Sequence, residues 1–209
     1  MVTPRGDGAM TRQRTPGRDD RGQAHTLEAF TAALLLVGSV VFALQVTAVT
    51  PLTASTSSQH IENQQVQVAR GLLDSAAENG SLRAALLDWN DSTGAFVNAS
   101  DQGYYVRADQ ANNAFGAMLD RTFLDRGIAV NVNVLYVTTG GDLRTRRMVY
   151  LGTPSDHAVS ASRAITLYDD DELRDGSTTL NDSSSYFIPD AAGGSVHNVV
   201  RVEVTVWRM

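Results

Sequence analysis

The sequence predicts an α+β protein, in which an N-terminal transmembrane helix leads into amphipathic helices and an antiparallel sheet of about four strands. Three patterns support this prediction. An apolar run covers residues 29–49, and apolar residues then recur at helical spacing as far as residue 123. After residue 128, apolar and polar side chains alternate with a period of two. Helical segments followed by a series of strands are typical of the α+β class.

The apolar run is long enough to cross a bilayer as a helix. Its roughly 21 residues would extend ~30 Å at ~1.5 Å per residue, which matches the hydrocarbon thickness of a membrane. We therefore predict a transmembrane helix over residues 23–50, with Glu28 at its edge and Pro51 as a stop or kink. A buried core helix is one alternative, although the rest of the chain is not apolar enough to surround it. A secretory signal peptide cleaved near residues 48–54 is the other, and it would have a shorter apolar core.

The arginines around this helix predict its orientation. The next arginine after the helix is Arg70. Five arginines precede the helix: Arg5, Arg12, Arg14, Arg18 and Arg21. The positive-inside rule places the N-terminus in the cytoplasm and residues 52–209 outside the cell membrane. Residues 1–22 are predicted to form a disordered basic leader, and Met10 is an alternative start to Met1.

Helical spacing predicts that residues 51–89 form an extracellular helical stalk. Within it, Ser81 is placed to cap a second short helix. A third helix is predicted to begin at the capping residue Asp109 and to end before Gly127. Its apolar stripe consists of Phe115, Met118, Leu119, Thr122 and Phe123.

Period-two alternation predicts the strands of an α+β head over residues 90–209. The expected strands are 128–136, 146–151, 159–168 and 199–207. A hairpin turn at 139–142 joins the first two strands, and an acidic, Ser-rich loop over 169–195 precedes the last. Such strands form an antiparallel sheet with helices on one face.

Composition excludes several classes of function. The chain has no cysteine, and all 17 of its basic residues are arginine. Disulfides, thiolate metal sites, thiol nucleophiles and chemistry that depends on a lysine amine are therefore excluded. The formal net charge is -6. An Asp-rich, Lys-free composition favours a halophilic protein, and GC-rich codon usage is the alternative explanation for arginine in place of lysine.

Candidate chemical sites are weak, and we predict a protein that is not an enzyme and has no cofactor or metal site. The run from Asp169 to Glu172 has the oxygen ligands that Ca²⁺ prefers, but it lacks the spacing of an EF-hand and fits a solvated acidic loop better. Ser155, Asp156 and His157 lack the motif of a hydrolase nucleophile. None of the histidines has an acid or second histidine at metal-ligand spacing in the sequence.

Two surface features remain. N-x-S/T sequons make four asparagines candidates for glycosylation: Asn79, Asn90, Asn98 and Asn181. Three arginines, Arg144, Arg146 and Arg147, form a basic patch on one strand, which would either protect a sheet edge or meet an anionic partner. The acidic head argues against nucleic-acid binding.

The segment from Arg21 to Phe30, Arg-Gly-Gln-Ala-His-Thr-Leu-Glu-Ala-Phe, resembles the class III signal of type IV pilins and archaeal pilin-like proteins. The resemblance implies cleavage after Gly22, with Gln23 as the new N-terminus. It also implies that Glu28 pairs with the N-terminal amine of a neighbouring subunit. In that family the acid usually stands fifth after the cut, whereas Glu28 would be sixth. Together with residues 164–171, the segment is similar to small pilin-like membrane proteins of haloarchaea that have no assigned function.

These observations predict a membrane-anchored, pilin-like surface protein, a structural or accessory subunit of an archaeal filament or secretion complex. Its partners would be the lipid bilayer and other pilin-like subunits, contacted through the N-terminal helix. The small residues Ala29, Ala33, Ser39 and Ala43 offer contact faces for such packing. The alternative is a monomeric, membrane-tethered extracellular binding module with no filament role.

Overall fold

A computed structural model describes the backbone of residues 19–208, and the side chains of residues 25–45 and 59–208. The chain forms two compact units that divide after Ser57. The choice between Met1 and Met10 as the start lies outside the described residues, as does most of the predicted leader.

The first helix, α1, is continuous from Asp19 to Glu78 and contributes to both units. It starts before Gln23, so the last residues of the predicted disordered leader are helical. Pro51 lies within the helix and does not end it. A proline inside a helix removes one backbone hydrogen bond, and helical turns on both sides continue the helix across the missing bond. The predicted transmembrane segment and the predicted stalk are therefore parts of one helix.

Short elements follow α1 and differ in detail from the prediction. They are α2 (Ser81–Leu86), β1 (Trp89–Asn90), β2 (Ala95–Phe96), a 3-10 turn (Ala108–Ala111), α3 (Ala114–Thr122) and a second 3-10 turn (Leu124–Arg126). The prediction that Asp109 caps α3 is wrong, because Asp109 lies in the first 3-10 turn. Asn113 is the cap, and its side chain accepts a 2.8 Å hydrogen bond from the backbone N–H of Gly116. Trp89, predicted at the end of the stalk, begins the β1–β2 hairpin.

The predicted antiparallel four-stranded sheet is confirmed. Its strands are β3 (Ile128–Val137), β4 (Leu143–Tyr150), β5 (Val159–Tyr168) and β6 (Val196–Arg208). Their order is β4-β3-β6-β5, so the C-terminal strand lies in the centre and pairs with both β3 and β5. The expected valines of β6 all point inward, and Val200, Val202, Val204 and Val206 are fully buried.

One hydrophobic core lies within the second unit. It joins the inward valines of the sheet to apolar side chains of α2 and α3 and of the last turns of α1, among them Ala69, Leu73 and Ala76. Each large aliphatic side chain buried there stabilises the head by about 1.5–3 kcal/mol relative to exposure. Residues before Ser57 contribute nothing to this cluster among the side chains that the structure describes.

The long loop between β5 and β6, which the sequence predicts as an acidic, Ser-rich loop, is packed onto the head. Leu173, Leu180 and Ile188 are at most 2% exposed. The hydroxyl of Tyr186 donates a 3.1 Å hydrogen bond to the carbonyl of Leu86. The loop therefore contributes apolar side chains to the hydrophobic core, while many of its polar and charged residues face solvent.

Candidate functional site

The most prominent surface of the molecule is an exposed apolar segment of α1. Residues His25–Gln45 form the single stretch, among the described residues, that is long and apolar enough to cross a membrane. None of it is buried, and Leu35 and Phe42 are 75% and 69% exposed. Exposed apolar surface costs about 25 cal/mol per Å² in water, so a continuous helix of this kind requires lipid or protein around it.

Polar side chains inside this segment are satisfied by the helix itself. The hydroxyl of Thr31 lies 2.9 Å from the carbonyl of Glu28 and 3.0 Å from that of Leu27. Ser39 donates a 2.8 Å hydrogen bond to the carbonyl of Leu36. Because no water is present in the hydrocarbon core to satisfy polar groups, these local bonds suit a lipid-facing helix.

Glu28, the predicted assembly residue, lies near the N-terminal end of the apolar segment. Its carboxylate is 3.6 Å from Nδ1 of His25, and both side chains are more than four-fifths exposed. Protonated His25 would give the acid a local partner. The predicted processing residues Gly22 and Gln23 have a helical backbone, and the side chain of Gln23 lies outside the described part of the chain.

All four sequon asparagines are exposed, as glycosylation requires. Asn90 uses its amide oxygen to accept hydrogen bonds from the backbone of Ser92 and Thr93, not the nitrogen to which a glycan attaches. The amide nitrogen of Asn79, in contrast, lies 3.9 Å from the sulfur of Met118. Asn98 adopts a left-handed backbone conformation in an exposed turn, and Asn181 lies in the β5–β6 loop.

The three arginines of the predicted basic patch on β4 differ in their exposure to solvent. Arg144 and Arg147 are exposed, whereas Arg146 lies over the rings of Trp89 and Phe187, at 4.7 and 5.1 Å from their centroids. Its Nε atom is buried and has no hydrogen-bond partner. Desolvation by burial lowers the pKa of Arg146 from its ordinary value. Arg146 is thus half-buried and held against aromatic faces, unlike its two exposed neighbours.

Two aspartates attach the β5–β6 loop to the head. Asp88 is 3% exposed, accepts a 2.6 Å bond from Arg174 and also accepts a 2.9 Å bond from Asn113. The hydrogen bond to Asp88 raises the pKa of Arg174. Asp91 accepts hydrogen bonds from the hydroxyls of Ser183 and Ser185, which lower its pKa to about 2. These contacts give Arg174, Ser183 and Ser185 of the loop a structural role.

Ser155, Asp156 and His157 do not assemble a catalytic arrangement. The Nδ1 atom of His157 lies 3.1 Å from a carboxylate oxygen of Glu62, so its partner is on α1. The His157 side chain is 78% exposed. It lines an open cavity of about 360 Å³ together with Glu62 and Ser155. An ion pair this exposed contributes little to stability and resembles ordinary surface pairing.

The acidic run 169–172 is divided between different partners. Asp171 pairs with Arg83 at 3.3 Å and accepts a hydrogen bond from the backbone N–H of Tyr168. Asp169 lies beside Asp190 and His197, with one ligand atom from each within 4.8 Å of the others. No local sequence pattern indicates this group, because its residues come from both ends of a loop and from β6.

The fold and these surfaces define a protein with an α+β head and one N-terminal apolar helix of membrane-spanning length. The chain belongs to a family of unknown function (DUF7288), whose model matches residues 21–206. The match begins just before the apolar helix and reaches nearly to the end of β6, so the family model covers both the helix and the head. No curated protein and no solved structure matches the chain.

Proposed function

We propose that this protein is a single-pass membrane protein that assembles, as a pilin-like subunit, through the N-terminal part of α1. Its N-terminus would be cytoplasmic and residues 52–209 extracellular. The observation that carries the proposal is the fully exposed apolar surface of His25–Gln45, which needs a lipid or protein environment. The arginines that precede the helix support this orientation.

Small residues on the helix support assembly in addition to anchoring. Ala29 and Ala33 lie one turn apart, as do Ser39 and Ala43, so each pair offers a place where another helix backbone can approach. A Cβ atom added at Gly38 would meet nothing within 4 Å, so this position is open as well. Glu28 near the end of the segment would then find a cationic partner on a neighbouring subunit.

The mature N-terminus tests the pilin-like route. We expect mass spectrometry of the protein from its native membrane to find a chain that starts at Gln23. Gly22→Val should block this cleavage, whereas the matched change Gly17→Val in the same leader should leave it intact. An uncleaved leader in cells with an active pilin peptidase would contradict the pilin-like route and leave only a membrane anchor.

Cysteine cross-linking tests assembly, because the natural chain has no cysteine. A single cysteine at Ala33 should form disulfide-linked dimers in membranes. Leu35→Cys, which points to the opposite side of the helix, is the matched control and should cross-link less. Equal cross-linking at both positions, or none at either, would instead favour the monomeric tethered binding module.

The same absence of cysteine allows the orientation to be measured. A cysteine introduced at the exposed Ser177 of the head should react with a membrane-impermeant maleimide in intact cells. One introduced at Thr11 of the uncleaved Gly22→Val variant, which keeps the leader, should react only after the membrane is opened. The reverse pattern would overturn the proposed topology.

A further inference from the structure

Asp169, Asp190 and His197 form the group of interest. Asp169 begins the β5–β6 loop, Asp190 lies near its end and His197 is on β6. One ligand atom from each residue lies within 4.8 Å of the other two. The group does not belong to the apolar helix or to the proposed assembly.

One ring nitrogen of His197 bonds to a backbone carbonyl, and the other faces a carboxylate. Its Nε2 atom lies 2.9 Å from the carbonyl oxygen of Ile188, and because a carbonyl only accepts, Nε2 must carry a proton. Its Nδ1 atom faces a carboxylate oxygen of Asp169 at 3.2 Å. In a neutral ring this Nδ1 is itself an acceptor, so two lone pairs would face each other.

This arrangement is buried, which makes an uncompensated pair of acceptors costly. His197 is only 4% exposed. Leaving a buried polar atom without a partner costs about 1–3 kcal/mol. A positive charge between Nδ1 and the carboxylates removes that cost, and it is either a second proton on the ring or a metal cation.

We propose that Asp169, Asp190 and His197 bind a divalent transition-metal cation, for which Zn²⁺ is the probe. An imidazole nitrogen with two carboxylates suits such a cation, whereas Ca²⁺ and Mg²⁺ prefer oxygen ligands alone. The bond from Nε2 to a backbone carbonyl is the outer contact that normally orients a metal-binding histidine. The 3.2 Å between Nδ1 and the Asp169 oxygen is close to the ~3.3 Å that separates two ligands of one tetrahedral zinc ion.

The two sources of positive charge differ in how many carboxylates they balance. A second proton on His197 would neutralise Asp169 alone, and the exposed carboxylate of Asp190 would stay solvated by water. A divalent cation balances both carboxylates and leaves a fourth position for water. Bound there, the cation would link the start and the end of the β5–β6 loop to the central strand of the sheet.

The test uses the full chain purified in detergent and stripped of metal with a chelator. Titration calorimetry and thermal unfolding should show that Zn²⁺ binds and raises Tm, and that Ca²⁺ at the same concentration does neither. Co²⁺ should bind with the visible absorption of a site that contains nitrogen. Absence of Zn²⁺ binding would overturn the proposal and assign the contact to a protonated His197–Asp169 pair.

Two matched variants locate the binding. Asp190→Asn should weaken Zn²⁺ binding at least about tenfold and leave the Tm of the metal-free protein nearly unchanged, because Asp190 is exposed. Asp170→Asn removes the same charge from the same loop, outside the group of three, and should keep the affinity. Equal loss in both variants would show general attraction to an acidic loop and would contradict a defined site.

Discussion

At the scale of single residues, the aromatic setting of Arg146 explains why a charged side chain is tolerated against the core. Its guanidinium lies over Trp89 and Phe187, whose rings are themselves 5.0 Å apart. Cation–π contacts contribute about 0.5–2 kcal/mol, more where water is excluded. The arginine thus joins β4 to the β1–β2 hairpin and to the β5–β6 loop.

We expect Arg146→Ala to lower the free energy of unfolding by about 1–2 kcal/mol, because both ring contacts and the packing of the side-chain stem are lost. Arg144→Ala on the same strand is the control, and an exposed substitution of this kind should change stability by less than about 0.5 kcal/mol. Urea unfolding followed by Trp fluorescence measures both. Equal effects would show that the ring contacts do not stabilise the head.

Asp91 gives a prediction of pH dependence. Hydrogen bonds from Ser183 and Ser185 hold its pKa at about 2, below the ordinary value of 3.8. A carboxyl whose pKa falls on folding stabilises the folded state above the unfolded-state pKa, and that contribution is lost as pH falls through the folded-state pKa. Asp91→Asn should therefore unfold more easily than the natural chain at pH 7.

The difference between Asp91→Asn and the natural chain should shrink as the pH is lowered from about 4 to about 2. Thermal unfolding across this range measures it, with Asp170→Asn as a control of equal charge. A deficit that stayed constant down to pH 2 would mean that the carboxylate form of Asp91 is not the source of the stabilisation.

At the scale of elements, the sequence predicted correctly those features that are determined by residues close together in the chain. The β6 strand was predicted because alternating valines are a local pattern with a period of two. The cap of α3 was misplaced because Asp109 and Asn113 are both good capping residues, and the choice between them depends on Asp88, which is distant in the sequence. The packing of the β5–β6 loop was missed for the same reason, since Leu173, Leu180 and Ile188 show no periodicity.

The group of Asp169, Asp190 and His197 was missed in the same way as the loop packing. Sequence spacing detects metal ligands that share one helix face or one short loop, whereas the pairing of β5 with β6 brings Asp169 and His197 together and the packed loop adds Asp190. The apolar helix, in contrast, was found from the sequence alone, because length and composition suffice to define it.

The helix cap gives the prediction at this scale. Asn113→Ala should destabilise the head by about 1–2 kcal/mol, because it removes both the 2.8 Å bond from Gly116 N–H and the bond to the buried Asp88. Asp109→Ala should have a small effect, since Asp109 pairs with Arg107 on the surface and both side chains are exposed. Denaturant unfolding compares the two, and a larger effect at Asp109 would show that the helix begins where the sequence first indicated.

At the scale of the whole molecule, the two units are suited to different environments, one to water and the other to an apolar phase. The head has a complete hydrophobic core and a surface of mainly charged and polar residues. The segment His25–Gln45 has an exposed apolar surface and no buried residue. One environment cannot satisfy both, so the chain as a whole is suited to a boundary between water and an apolar phase.

We therefore expect a chain that begins at Ser58 to fold and remain soluble, with a free energy of unfolding close to that of the head in the full chain. Its core residues start at Ala69, and the division between the units falls after Ser57. The full chain should require detergent and should stay in the membrane fraction after alkaline carbonate extraction. Circular dichroism during heating and ultracentrifugation of both forms provide the comparison. If the shortened chain were unfolded or aggregated while the full chain was not, the apolar helix would have to contribute to the folded head, and an independent role as membrane anchor would be excluded.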